Sequence, residues 1–193
     1  MGDALLFVGR LHKLKSLDVL IKASSIVVQR YGRDVRFLVI GPGDLVPYIV
    51  LAARLQVEAG FLFLGFVDED MKIGALDALV CLMLPNISDY AEVYYMVISE
   101  AWTRRKPVVI SSVGGIPYRV KYVENQVLVS LRDPERLVGA LLMLLEGKEL
   151  VKRLGGRAST RWRLGVALAE EFTKALRGSA KAEAKRECLS SPL

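Results

Sequence analysis

The sequence predicts an α/β fold: a Rossmann-like, doubly wound parallel sheet of about six strands, with helices on both faces and further helices at the C-terminal end. Two observations carry this. Six short runs rich in Val, Leu, Ile and Phe recur along the chain without polar alternation, as expected of strands buried on both faces. Longer amphipathic stretches separate them, which gives the repeating strand–helix order of a parallel sheet.

The elements follow in order. "ALLFVG" (4–9) is the first strand, and a helix is expected over 16–31. "VRFLVIG" (35–41) leads through the turn Gly41-Pro42-Gly43 into a helix over 44–57, with Asp44 as its cap. "GFLFLG" (60–65) precedes a helix over 69–77, and "ALVCLMLP" (78–85) precedes one over 95–105. "PVVIS" (107–111) runs into "SSVGGIPYRV", where Gly114 and Gly115 permit a left-handed turn and Ile116-Pro117 restarts a short helix. "QVLVS" (126–130) and a helix over 134–146 complete the series. One or two more helices fill 149–177, so the domain is expected to span 1–177, with 178–193 a basic, flexible tail.

With 193 residues the chain suits one domain with a sizeable core, and its 52% hydrophobic and 25% charged content is that of a folded protein. No apolar run reaches the length of about 18 residues that a membrane span needs. The opening "MGDALLFVGR" lacks a basic leader, and Cys81 and Cys188 stand far apart, so a reducing cytoplasmic setting is expected. His12 has no cysteine near it, and no metal site is expected. The net charge of +6 is concentrated: between Lys148 and Glu187 there are eleven basic against five acidic residues, which accounts for all of it. Such a face is ordinarily solvated; the functional alternative is peripheral contact with an anionic membrane surface. Nucleic acid is not expected, because aromatic residues are scarce among the basic ones, only Trp162 and Phe172 between Lys148 and Glu187.

In a sheet of this type ligands bind beyond the carboxyl ends of the strands, near the point where strand order reverses. Unusual polar residues fall there. After the first strand, Gly9 lets the chain turn, and Arg10 and Lys15 follow. Two cations at one strand end can clamp a phosphate, though spacing alone leaves an ordinary exposed loop equally open. After the third strand, Gly65, Phe66 and Val67 offer backbone groups to a flat base, or form an ordinary strand exit. After the fourth, "EVYYMVISEA" holds Glu92 and Glu100 on either side of a helix start. A helix beginning near Tyr94 would leave the N–H groups of Tyr94, Tyr95, Met96 and Val97 free for an anion, between two carboxylates able to accept sugar hydroxyls.

In order and spacing, "LLFVGRLHKLKSLDVLIKA", "RFLVIGPG", "FLGFVDED", "ALVCLMLPNISDYAEVYYMVISEA", "KPVVISSVGGIP" and "NQVLV" resemble the C-terminal, donor-binding domain of family 4 retaining glycosyltransferases of the GT-B fold. The likeness covers about residues 4–176. It implies a hexosyltransferase-type, metal-independent enzyme that uses a nucleoside-diphosphate sugar, UDP- or GDP-linked, and no separate cofactor. Arg10 and Lys15 match the basic pair that holds the donor diphosphate. Glu92 and Glu100 match the two acids of the family's E-x7-E signature, the first on the transferred sugar and the second on the ribose. Arg10, Lys15 and Glu92 are thereby the implied catalytic set. Gly9 and Gly65, Phe66 and Val67 lie where the donor and its base are held; Tyr94, Tyr95, Met96 and Val97 lie at the helix start that meets phosphate and sugar. Acceptor binding in this family belongs to an N-terminal domain, expected here in cis in a longer polypeptide or as a separate chain. The domain alone is then expected to bind nucleotide and to transfer no sugar.

The sequence also departs from the family pattern. Val93-Tyr94-Tyr95 stands for Gly-Phe-Gly after the first glutamate, and Ser16, Arg105 and Gln126 replace glycines. Tyr118 replaces the glutamate usual after "GGIP". A second reading follows from these changes: an interaction module that kept the fold and lost the donor site.

Overall fold

The computed structural model describes residues 4–85, 96–112, 127–129 and 133–160, together with 163 and 167. Glu92, Tyr94, Tyr95, the Gly114–Tyr118 segment and the tail over 178–193 lie outside the described residues. The chain divides into a unit over 1–159 and another over 160–193, of which only Thr160, Arg163 and Ala167 are described, each helical.

The first unit alternates strand and helix as the apolar runs predict: β1 (Ala4–Val8), α1 (Leu17–Tyr31), β2 (Arg36–Ile40), α2 (Val46–Arg54), β3 (Phe61–Gly65), α3 (Glu69–Ala78), β4 (Cys81–Leu84), α4 (Met96–Thr103), β5 (Val108–Ser111), β6 (Val127–Val129) and α5 (Pro134–Glu146). A further helix runs over 148–159 within this unit. The six strands form one sheet in the order β3-β2-β1-β4-β5-β6. All neighbours pair in parallel. The order reverses between β1 and β4, so the crevice of a doubly wound sheet opens beyond the ends of those two strands.

Alternate strand residues serve two cores, because successive Cβ atoms point to opposite faces. Leu5, Phe7, Val39, Met83 and Val109 share one buried cluster with Leu20, Ile21 and Val27 of α1 and Leu137 and Leu141 of α5. Each of those large side chains, removed from water, contributes about 2 kcal/mol. Phe37, Phe61 and Phe63 extend the cluster as a stack across β2 and β3, with centroid separations of 4.9 and 5.7 Å. The opposite face carries α3 and α4, whose Ala75, Leu76, Ile98, Ala101 and Trp102 are buried. The edge strand β3 keeps Leu62 and Leu64 exposed on that side.

Helix ends follow their residue chemistry. Asp68 and Asp133 accept from the N–H groups of Met71 and Arg136 at 2.7 and 3.0 Å and start α3 and α5. Gly32, with φ of 61°, closes α1. The second helix is shorter than the expected 44–57: Asp44 Oδ1 accepts from the Val46 N–H at 3.0 Å, but Leu45 intervenes as the flanking residue. Gln56 then turns left-handed, with φ of 59°, beyond the other end. Helix α4 ends where the Lys106 N–H reaches Ala101 O at 2.9 Å and the Arg105 N–H reaches Trp102 O at 3.0 Å. That pair of bonds puts Arg105 in the left-handed position, with φ of 57°, where glycine is ordinarily found. Against it sits Gly155, at which any Cβ would overlap the Arg105 carbonyl.

Replacing Arg105 with glycine should remove the left-handed penalty and raise stability by up to about 1 kcal/mol, net of the extra freedom glycine gives the unfolded chain. The urea midpoint of Arg105→Gly against the parent measures this. A lowered midpoint would mean that the arginine stem contributes more packing than its backbone strain removes.

Candidate functional site

The site is built at the carboxyl ends of β1, β2 and β3, where the sheet continues as backbone contacts between loops. The Gly9 N–H donates to Ile40 O at 3.0 Å, the Gly41 N–H to Gly65 O at 2.7 Å, and the Leu11 N–H to Pro42 O at 2.8 Å. Leu11 and Gly43 form a further isolated parallel bridge. Side chains have no room here. A Cβ on Gly41 would overlap the carbonyl of Gly9, and one on Gly43 would come within 2.7 Å of the Leu11 Cβ. Both glycines have φ values, 149° and 135°, that other residues rarely take. The Gly-Pro-Gly turn is therefore consumed in holding the loop after β1.

That loop carries the two predicted cations. Arg10 is exposed directly after Gly9. Residues Lys13–Lys15 make one tight helical turn, fixed at both ends by His12: its ring Nδ1 accepts from the Leu14 N–H at 3.3 Å. Its carbonyl accepts from the Lys15 N–H at 2.8 Å. The single histidine of the chain thus shapes the turn that presents Lys15. Ser16 follows in the left-handed region, φ 54° and ψ 36°, and its carbonyl accepts from Val19 and Leu20 at the start of α1. The Ser16 hydroxyl is buried and makes no hydrogen bond among the described residues.

Strand β3 ends at Gly65, at φ of 69°, and Phe66, which is 78% exposed, and Val67 follow. Beyond β4, the described part of α4 begins at Met96, two residues after the expected start near Tyr94. Met96 is 73% exposed and Val97 half-buried, both in its first turn. One turn further, Glu100 lies between α3 and α4. Its Oε2 is sealed from solvent and takes no hydrogen bond of regular geometry, but the Lys72 ammonium stands 3.0 Å away. Lys72 also meets Glu69 at 2.9 Å. Burial draws the Lys72 pKa down; the two carboxylates outweigh it and leave the ammonium above its ordinary value of 10.5. The stabilisation from this raised value is therefore complete through neutral pH and is lost only as pH rises past it.

Lys72 was not legible as a site residue, because "VDEDMKIGAL" reads as an ordinary charged helix start. Nothing local signals that its partner lies on the next helix of the sheet face. Two other features stay outside the candidate site. Burial pushes the Cys81 thiol far up, which marks a core residue. A groove of about 950 Å³ flanks the loop on the α1 and α2 side, lined by His12, Asp18, Asp44 and Tyr48 among others, and includes none of Arg10, Lys15 or Glu100. Among the described residues no three His, Cys, Asp or Glu side chains gather as a metal site.

The sequence profile of the family described as "Glycosyl transferases group 1" matches residues 2–147. The chain belongs to the group 1 glycosyltransferases. It is 33% identical over 168 residues to a D-inositol 3-phosphate glycosyltransferase of Streptomyces griseus, covering 81% of this chain and 35% of that protein. To an uncharacterised glycosyltransferase of Methanocaldococcus jannaschii it is 31% identical over 134 residues, covering 69% and 33%. The chain thus spans about a third of the length of these relatives. Among solved structures, Anabaena HepE in complex with UDP superposes with a TM-score of 0.78 at 19% identity, over 92% of this chain and 49% of that one. The C-terminal domain of a group 1 glycosyltransferase from Francisella tularensis gives 0.71 at 21%, over 82% of this chain and 83% of that domain. At these identities the structural likeness is one of fold.

Within this group 1 glycosyltransferase, Gly9, Arg10 and Lys15 stand after β1, Gly65, Phe66 and Val67 after β3, and Met96, Val97 and Glu100 at the start of α4. Since β1 and β4 are neighbours in the sheet, the cation-bearing loop and α4 flank the switch point.

Ser16→Gly should relax a left-handed residue and delete an unsatisfied buried hydroxyl, which raises stability by about 1 kcal/mol. Thermal unfolding monitored by circular dichroism measures it. A lower midpoint would show that the serine side chain contributes packing that glycine cannot replace.

Proposed function

We propose that this chain is the donor-binding domain of a retaining glycosyltransferase that moves a hexosyl group from a nucleoside-diphosphate sugar. The observation that supports the reading is the strand order: β1, which precedes the Arg10–Lys15 loop, and β4, which precedes α4, are neighbours where that order reverses. Arg10 and Lys15 hold the diphosphate, Glu100 the ribose, and Glu92 the transferred sugar. Gly9 lets the loop approach the donor, Gly65 to Val67 meet the base, and the backbone of Tyr94 to Val97 meets phosphate and sugar. UDP is the first nucleotide to consider, since HepE is a neighbour in fold and its structure holds UDP; GDP is the alternative.

The chemistry asked of these residues is electrostatic. The bond from the anomeric carbon to the diphosphate oxygen breaks, and its electron pair leaves with the nucleoside diphosphate. Two cations and the positive end of α4 stabilise the growing charge without a bound metal. The acceptor hydroxyl, supplied with an N-terminal domain in cis or on another chain, forms the new bond to the anomeric carbon and passes its proton to the departing diphosphate. The exposed cations Lys148, Lys152, Arg153 and Arg157 support peripheral contact with an anionic membrane from the cytoplasmic side. Among the described residues no helix is long and apolar enough to cross a membrane.

Calorimetric titration with UDP and GDP tests the reading. Binding of one of them, weakened about tenfold or more by Lys15→Ala and by Glu100→Gln, is the expected result. Titrations flat for both nucleotides, or indifferent to both substitutions, would instead favour an interaction module that lost its donor site. With a UDP-sugar and a simple acceptor, the 193-residue chain alone should show no transfer; steady turnover would refute the need for a second domain.

A further inference from the structure

Lys72 belongs to no motif, yet it links the two helices on this side of the crevice. It lies in the first turn of α3, which begins directly after the Gly65–Val67 loop. Its ammonium contacts Glu69 of its own helix and crosses to Glu100 of α4. Its side chain is 19% exposed and that of Glu100 is 22% exposed, so both charges sit largely out of water. An ion pair so placed gains little over apolar packing, while loss of one partner strands the other.

The carboxylate is divided by this contact. Oε2 is the atom facing Lys72, and it is closed to solvent. With Oε2 committed to Lys72, the other oxygen is the one left to meet a ligand hydroxyl. The backbone beneath is fixed as well. The Thr103 hydroxyl donates to Glu100 O at 2.8 Å, and Arg104 Nη1 donates to the same oxygen at 3.3 Å. Arg104 is tied back to Asp77 at 3.1 Å, and the Lys106 ammonium donates to Asp77 O at 2.8 Å. Helices α3 and α4 are thus coupled near their starts by Lys72 and near their ends by Asp77.

We infer that Lys72 is a positioning residue for the nucleoside: it turns the Glu100 carboxylate so that one oxygen is spent on the fold and the other is presented to the ribose hydroxyls. It also fixes the spacing between that carboxylate and the loop at Gly65–Val67. This rests on the donor-binding reading given above and adds a residue and a division of labour to it. Lys72 itself touches no ligand. Its loss should be felt by the nucleoside half of the donor and not by the diphosphate half, which belongs to Arg10 and Lys15 across the crevice.

Calorimetry on the full 193-residue chain separates the two halves, with UDP and inorganic pyrophosphate as probes. Lys72→Met keeps the stem and removes the charge. It should weaken UDP about tenfold and leave pyrophosphate unchanged, since a charge-assisted contact is freed to rotate. The double variant with Glu100→Gln should bind UDP no worse than Glu100→Gln alone, because both changes break one device. Lys72→Gln gives the same comparison should the methionine variant fail to fold. UDP affinity unchanged in the variant, UDP and pyrophosphate falling together, or fully additive losses in the double variant would each overturn the positioning role while leaving the donor site standing. A parent chain that binds pyrophosphate but gains nothing from the nucleoside would overturn this inference and the Glu100 assignment together.

Discussion

The contact on which the rest depends is the close approach of backbones at Gly9, Gly41 and Gly65. Strand pairing normally ends with the strands; here hydrogen bonds from Gly9 to Ile40 and from Gly41 to Gly65 carry it into the loops. The approach is so close that Gly41 cannot bear a side chain. A loop tied this way cannot drift, and His12 locks the next turn through its ring and its carbonyl. Arg10 and Lys15 therefore leave the sheet from a fixed base. Electrostatic stabilisation of a departing anion works best when the charges need not be gathered at the moment of reaction. The sheet edge supplies that rigidity without any ligand.

The opposite wall of the crevice is organised by charge. On the α1 side, apolar contacts between α1 and α5 set the helix positions; between α3 and α4, ion contacts from Glu69 to Lys72 to Glu100 and from Arg104 to Asp77 span the gap. A lysine and glutamate about four-fifths buried would stabilise the fold no more than a leucine pair of similar volume. What a leucine pair cannot do is hold a carboxylate in one orientation with an oxygen to spare. The two carboxylates, Glu69 and Glu100, keep the Lys72 ammonium charged despite its burial.

The fold was legible because parallel strands buried on both faces leave unbroken apolar runs, and six of them fell where β1 to β6 are found. Helix ends were less so. Asp44 accepts from the Val46 N–H but is not the residue that flanks α2, which is Leu45, and Gln56 turns left-handed without any glycine to announce it. For the candidate site, Arg10, Lys15 and Glu100 were legible as candidates through their place beyond strand ends and through the family resemblance, both of which are read along the chain. Lys72 and the fixing role of His12 were not, since both depend on contacts that neither helical nor strand periodicity encodes. The Gly-Pro-Gly turn was visible as a turn, while its packing against Gly9 required the third dimension.

The departures from the family's glycines bear on whether the site survives. Had Ser16 and Arg105 been accommodated by rebuilding the backbone, their φ values would lie in the ordinary negative range. Instead both residues hold the left-handed conformation, at 54° and 57°. A side chain there costs about 1–2 kcal/mol relative to glycine. The chain tolerates that strain directly after Lys15 and at the end of the helix that carries Glu100, and at Gln56 as well. At Arg105 the two hydrogen bonds that end α4 and the packing of Gly155 hold the conformation in place. The backbone path directly after Lys15 and at the end of the Glu100 helix is thus kept although the glycines are gone.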